Sequence, residues 1–214
     1  MARQRLIVKV CGVRTPEVAE VALAAGADWI GLVFEPLSPR HASDAEADRV
    51  REAVAGRAAL VGVMVAPAPE RAAALARRHR LDALQLHGDV SPARLTDSPV
   101  PVIRGLNVRD LAEVLALEWP PDCLLLLDAA PSDPEALPGG TGHRLDLDLA
   151  ATAAAHRDIL LAGGLDPDNV GEAVRRVRPA GVDASTGLEN APGVKDPARV
   201  RAYVQAARLA ERSL

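Results

Sequence analysis

Short apolar runs recur along the whole chain, each followed by turn residues and then by an Ala-rich, Arg/Glu-rich stretch with the period of an amphipathic helix. The alternation predicts repeated strand–helix units, with strands over Leu6–Val10, Trp29–Phe34, Ala59–Val65, Ala83–Leu86, Val100–Arg104, Cys123–Leu127, Ile159–Ala162 and Gly181–Ala184. A run that is apolar at every position, such as Cys123–Leu127, fits a parallel sheet covered by helices better than a sheet with one wet face. Helix starts are marked by Thr15-Pro16-Glu17, Ser43-Asp44, Ser91-Pro92, Asp166-Pro167 and Asp196-Pro197, where a capping side chain precedes the first turn. Eight such units in 214 residues close naturally into an α/β fold of one domain, a single (β/α)8 TIM barrel over residues 1–214. A doubly wound open sheet alternates in the same way, but no G-x-G-x-x-G follows the first strand and eight uninterrupted units favour closure.

Composition narrows the function classes. A hydrophobic fraction of 49% with only 2% aromatic residues means a core of many small aliphatic contacts, as in layered α/β proteins. The 25 basic and 29 acidic residues are interspersed and sum to −4, which argues against a nucleic-acid partner. Apolar stretches are broken by Asp28, Gly31, Arg77 or Asp128 before reaching the ~18 residues of a membrane span, and Met1–Leu6 is not followed by a secretory leader. Cys11 and Cys123 stand far apart without metal-like spacing, so the expectation is a cytoplasmic protein with no metal and no cofactor, and a monomer, since a barrel of this kind can function alone and no exposed apolar patch is legible.

In a closed barrel of this kind, ligands bind at the C-terminal ends of the strands, which leaves few candidates. The first strand ends in Lys9-Val10-Cys11-Gly12, the second is followed by Ser38-Pro39-Arg40, the fourth ends in Gln85-Leu86-His87-Gly88, and Asp128 follows the sixth. Gly163 and Gly164 after the seventh strand, with Ser185, Thr186 and Gly187 after the eighth, form a phosphate-site pattern. Glycine lets backbone approach an anion, and N–H and hydroxyl donors lie near a short helix start. A small phosphorylated molecule is the expected partner. Cys11 alone fits core packing as well as chemistry, and Asp128 alone fits a helix cap as well; across one barrel mouth they make a plausible acid/base pair. Cys123, opening an apolar strand at the other end of the barrel, reads as packing. The longest unpatterned stretch, Ala129–Leu145, carries Pro131, Pro134, Pro138 and the run Gly139-Gly140-Thr141-Gly142, and loops of that length are usually functional.

Taken in order, Lys9-Val10-Cys11-Gly12, Gly26-Ala27-Asp28, Gly31–Phe34 with Ser38-Pro39-Arg40, Gln85–Gly88, Gly139–Gly142, Leu161–Leu165, Gly181–Asp183 through Gly187–Glu189, and Pro192–Asp196 resemble the phosphoribosylanthranilate isomerase family over essentially the whole chain. The resemblance implies an Amadori rearrangement of N-(5-phosphoribosyl)anthranilate in tryptophan biosynthesis, with Asp128 as general acid and Cys11 as general base. It implies that Arg40 binds the anthranilate carboxylate, that Gly163, Gly164, Ser185, Thr186 and Gly187 hold the phosphate, and that Gly140 and Thr141 belong to a loop folding over the substrate. Those roles require a raised pKa at Asp128 and a positive field lowering that of Cys11. Lys9, two residues before Cys11 and hence on the same strand face, is expected to supply part of that field while paired with a buried acid such as Asp183. His87 is expected to be a hydrogen-bonded wall residue. The histidine-pathway isomerase, which uses a pair of aspartates, is disfavoured by Cys11. A noncatalytic phosphosugar-binding barrel would be expected to lack one of the acid/base residues, and a redox-sensing thiol would need a resolving cysteine nearby.

Overall fold

The computed structural model describes residues 5–90, 98–108, 123–129 and 146–214. Eight strands form a closed barrel in chain order: β1 (Ile7–Cys11), β2 (Trp29–Val33), β3 (Ala59–Val65), β4 (Ala83–His87), β5 (Val102–Val108), β6 (Leu125–Ala129), β7 (Ile159–Leu161) and β8 (Gly181–Ala184). Every neighbouring pair is parallel, and β1 closes the ring against β8 through Lys9↔Asp183 and Val10↔Ala184. The described helices are α1 (Pro16–Ala25), α2 (Asp44–Val54), α3 (Pro69–His79), α4 (Leu147–Ala154), α5 (Val170–Val177) and α6 (Pro197–Arg212). A short antiparallel hairpin, β9 (Glu189–Ala191) and β10 (Val194–Lys195), intervenes between β8 and α6.

The strands have two apolar faces because they separate two cores. Outward side chains such as Val8, Val10, Ile30, Leu32, Leu84, Leu86, Leu125 and Leu127 pack under the helices in one continuous cluster. Inside the barrel a smaller cluster of Val61, Ala83, Ile103, Leu126, Leu160 and Ala162 fills the floor. Period-two geometry then carries the inward face of each strand from that plug toward polar residues at its C-terminal end: Ile7, Lys9, Cys11 on β1, and Ala83, Gln85, His87 on β4.

Caps are built largely as the residues dictate. Thr15 accepts from Val18 N, Ser43 and Glu46 form a reciprocal capping box, and Asp196 accepts from Ala198 N and Arg199 N. Two expectations shift. Asp166 caps a turn instead of a helix, accepting from Asp168 N and Asn169 N, and α5 begins only at Val170. The fifth strand runs to Val108 instead of ending at Arg104, because Gly105 through Val108 pair with Leu126 through Ala129. That pairing overrides the polar character of Arg104 and Asn107, which hid the strand's end in the sequence. The sixth strand begins at Leu125 and runs to Ala129, so Asp128 lies within it. The expected helix start at Ser91-Pro92 lies outside the described residues, as does most of the Ala129–Leu145 stretch. Among the described residues no helix is long and apolar enough to cross a membrane.

Candidate active site

At the C-terminal rim of the strands lies a cavity of about 180 Å3, whose walls include Cys11, Arg40, Gln85, His87, Asp128, Asp183 and Ser185. A smaller recess of about 50 Å3 is lined by Gly163, Gly164, Ser185, Thr186 and Gly187 and shares Asp128, Asp183 and Ser185 with the first. The thiol, the carboxyl and the arginine expected from the sequence therefore line one cavity, and the glycine loops line a recess adjoining it. Gly140 and Thr141 lie outside the described residues.

Asp128 and Cys11 are both buried, at 9% and 6% exposure. Burial, reinforced by the neighbouring Asp183 carboxylate, pushes the Asp128 carboxyl up to about 7, against a weaker pull from the Ala129 backbone. Close packing helps to keep it there: a Cβ on Gly163 would stand 2.8 Å from Ala129 N and 3.1 Å from the Asp128 carboxylate, so only glycine fits beside the acid. A carboxyl that titrates near neutrality can donate a proton, which is what a general acid must do.

Cys11 differs from expectation. Its thiol is raised above its ordinary value, because burial outweighs the attraction of Lys9 and Lys195, and Asp183 adds to the burial effect. The anticipated positive field is present but does not prevail in the free protein. Lys9 is fully buried with its Nζ 3.0 Å from Asp183 Oδ2, as its position on the strand implied. Burial alone would push Lys9 down, but Asp183 and, after it, Cys11 hold it above its ordinary value. Gly31, beside Cys11 in the β1–β2 register, gives the thiol its room, since a Cβ there would lie 2.9 Å from Sγ.

Donors expected to face an anion are partly engaged with neighbours. The Ser185 hydroxyl donates to the Cys11 carbonyl at 3.2 Å, and Thr186 Oγ1 accepts from Arg40 Nη2 at 3.1 Å. Thr186–Leu188 is a single 3-10 turn, so local N–H groups and the glycine backbone matter more there than a helix dipole. The side chain of Asn169 braces the loop by donating to Gly164 O at 2.8 Å. Arg40 is held through Nε and Nη2, each 2.8 Å from a Glu189 carboxylate oxygen.

Sequence reasoning gave no roles to Gln85, Glu189 and Lys195, and none beyond the wall to His87. His87 and Gln85 pair through their Nε2 atoms at 2.8 Å. Burial, then Lys9 and Arg104, lowers His87 to about 4, which keeps it neutral at physiological pH. Among the described residues Gln85 Oε1, His87 Nδ1 and Asp183 Oδ1 are buried without a hydrogen-bond partner, and all three residues line the cavity. Two of the three, Gln85 Oε1 and Asp183 Oδ1, are acceptors, and they suit a ligand that brings hydroxyl donors. Period two was the signal that could have found Gln85 and His87; nothing local marks Glu189 or Lys195, which meet Arg40 only across the fold.

Fold and rim together define the class, an α/β barrel with a small-molecule site at the C-terminal ends of its strands. The N-(5'phosphoribosyl)anthranilate (PRA) isomerase family model matches residues 8–206. The chain belongs to that family. It is 41% identical to the N-(5'-phosphoribosyl)anthranilate isomerase of Azorhizobium caulinodans, covering 95% of this chain and 92% of the relative. With the Cereibacter sphaeroides protein of that name it shares 42% identity, covering 94% and 98% respectively. The phosphoribosyl anthranilate isomerase structure from Thermus thermophilus superposes with a TM-score of 0.83 at 33% identity over 96% of this chain and 98% of that one. A phosphoribosyl anthranilate isomerase in complex with reduced 1-(o-carboxyphenylamino)-1-deoxyribulose 5-phosphate gives 0.80 at 30% identity over 95% and 98%.

Proposed function

We propose that this chain isomerises N-(5'-phosphoribosyl)anthranilate to 1-(2-carboxyphenylamino)-1-deoxyribulose 5-phosphate, a step of tryptophan biosynthesis. The observation that carries the reading is a carboxyl raised to about 7 that shares one cavity with a buried thiol. Asp128 donates its proton to the ribose ring oxygen as the nitrogen lone pair expels it, which opens the ring to a protonated Schiff base. Cys11, as thiolate, takes the proton from C2, and the C–H electron pair forms the enolamine and neutralises the nitrogen. Tautomerisation then delivers the ketone, with no net change in oxidation state. The cationic Schiff base adds a positive charge beside Cys11, in the same sense as Lys9 and Lys195, and so favours the thiolate at the stage that needs it.

In this reading the Arg40 guanidinium receives the ring carboxylate, and Gly163, Gly164, Ser185, Thr186 and Gly187 hold the phosphate. Gly140 and Thr141 contact the substrate from the loop after β6. In the same reading residues 1–214 form one barrel domain that acts in the cytoplasm as a monomer. Its large exposed apolar side chains among the described residues are Leu37, Val194, Leu209 and Leu214, no two of them consecutive in the chain. Sedimentation at micromolar concentration tests the monomer, and a stable dimer overturns it; a structure of the Thermotoga maritima relative describes that protein as dimeric.

The activity is tested by the fluorescence change on adding freshly prepared phosphoribosylanthranilate. Cys11→Ala and Asp128→Ala are expected to lose turnover by about 10²- to 10⁴-fold while still binding the reduced product analogue. Wild-type protein that binds the analogue without turnover would instead make the chain a noncatalytic phosphosugar-binding barrel.

A further inference from the structure

Arg40 presents a difficulty for any site that must bind a carboxylate. Its Nε and Nη2 already make a bidentate pair with Glu189, both bonds 2.8 Å, and the two side chains are only 14% and 4% exposed. A guanidinium paired in this way is formally neutral together with its partner, and an incoming anion meets the Glu189 charge as well as that of Arg40. A second cation changes the balance. Lys195 Nζ lies 2.6 Å from Glu189 Oε1, with 2% of its side chain exposed, and also donates to the Ser185 carbonyl and hydroxyl at 3.1 Å each. Among the described residues neither cation has a second acidic partner, so two positive charges share one buried negative charge.

Fold geometry brings the three residues together. Glu189 and Lys195 face each other across the β9–β10 hairpin, and that hairpin presses on the loop carrying Arg40: a Cβ on Gly193, whose φ is +77°, would collide with the Pro39 carbonyl. Burial pushes Glu189 upward, yet the bonds from Arg40 and Lys195 outweigh it and keep the carboxyl below its ordinary value, so it stays charged.

We infer that Lys195 is a specificity-determining positioning residue: by neutralising Glu189, it lets Arg40 be held rigidly by that carboxylate and still present a net positive charge to a carboxylate on the ligand. The inference rests on the reading that the substrate's ring carboxylate meets Arg40, and it adds what makes this possible. The same lysine also contributes to the field at Cys11, so the test has to separate binding of the carboxylate from effects on the base.

The experiment compares dissociation constants of two stable ligands, reduced 1-(o-carboxyphenylamino)-1-deoxyribulose 5-phosphate and its counterpart without the ring carboxylate. Wild type is expected to prefer the first. Lys195→Met should weaken the carboxylated ligand by roughly tenfold or more and the other by less than about threefold. Lys195→Arg, which keeps the charge, should keep the preference. The double variant Lys195→Met with Glu189→Gln restores the net charge by removing the anion too, and should recover much of the lost affinity. A merely structural role predicts no recovery, because two contacts are then missing instead of one. Equal loss for both ligands, or a double variant no better than Lys195→Met, overturns the inference. Equal binding of both ligands by wild type overturns carboxylate recognition itself, and the role of Lys195 with it.

Discussion

Burial within the barrel, with Asp183 beside it, holds the Asp128 carboxyl at about 7, whereas an unfolded chain releases that proton near pH ~4. Between those values the folded protein binds more protons than the unfolded one, so this residue's contribution to stability falls as pH rises through that window and levels off above 7. Asp128→Asn removes the charge that the fold disfavours. The variant is expected to melt above wild type at pH 8, with an advantage that shrinks toward pH 5, while turnover drops by about 10²- to 10⁴-fold. Thermal unfolding at several pH values checks this, and a melting difference independent of pH would remove the claim that the acid is held protonated by its surroundings. Wild-type kcat/KM should likewise decline above pH ~7 as the acid ionises. Cys11 illustrates the opposite demand on a neighbouring residue: a site dry enough to raise the acid also raises the thiol.

Segments between the barrel strands decide where the remaining side chains point. Lys9 and Cys11 could be paired from the sequence because period two fixes them on one face, and the β1–β8 register then sets Asp183 opposite Lys9. The hairpin after β8 was not foreseeable in that way. Its two strands are three and two residues long, too short to show alternation, and its role depends on where the Pro39 loop lies. Gly193→Ala tests that contact at the scale of the element. The substitution forces a side chain into a left-handed conformation and against Pro39, so it should loosen the hairpin's hold on Arg40 and weaken the carboxylated ligand by roughly tenfold. Titration with the reduced product analogue gives the answer; unchanged affinity would mean that Arg40 is positioned without the hairpin.

Closure of the whole molecule depends on its two ends meeting. Arg208 on α6 donates to the Leu6 carbonyl at 2.7 Å and to Gly26 O through Nε and Nη2, and it pairs with Asp28 and Glu211. Glu211 in turn accepts from Leu6 N at 2.7 Å, so the last helix holds the entry of the first strand. These contacts lie at the N-terminal end of the strands, away from the rim that carries the site. Arg208→Met takes the cation from Glu211 and leaves Asp28 only the exposed Arg5, and is expected to cost about 2–4 kcal/mol of stability, with kcat/KM per folded molecule unchanged. Denaturant unfolding alongside steady-state kinetics tests this; a variant as stable as wild type would show that barrel closure does not depend on the ion-pair cluster.

Local chemistry, written into the sequence itself, set the alternation of strand and helix, most of the caps, the closed ring, and which strand ends carry Cys11, Asp128 and the paired glycines. Those features follow from short-range periodicity and from a fixed rule about which end of a parallel barrel binds ligands. Tertiary structure alone decided that β5 continues past its apolar run, that Cys11 is raised instead of lowered, and that Arg40 lies in a partly buried triad with Glu189 and Lys195. Strand pairing, desolvation and ion-pair balance are sums over all spatial neighbours, some of them as far apart in the chain as Arg40 and Glu189, and no local pattern encodes them.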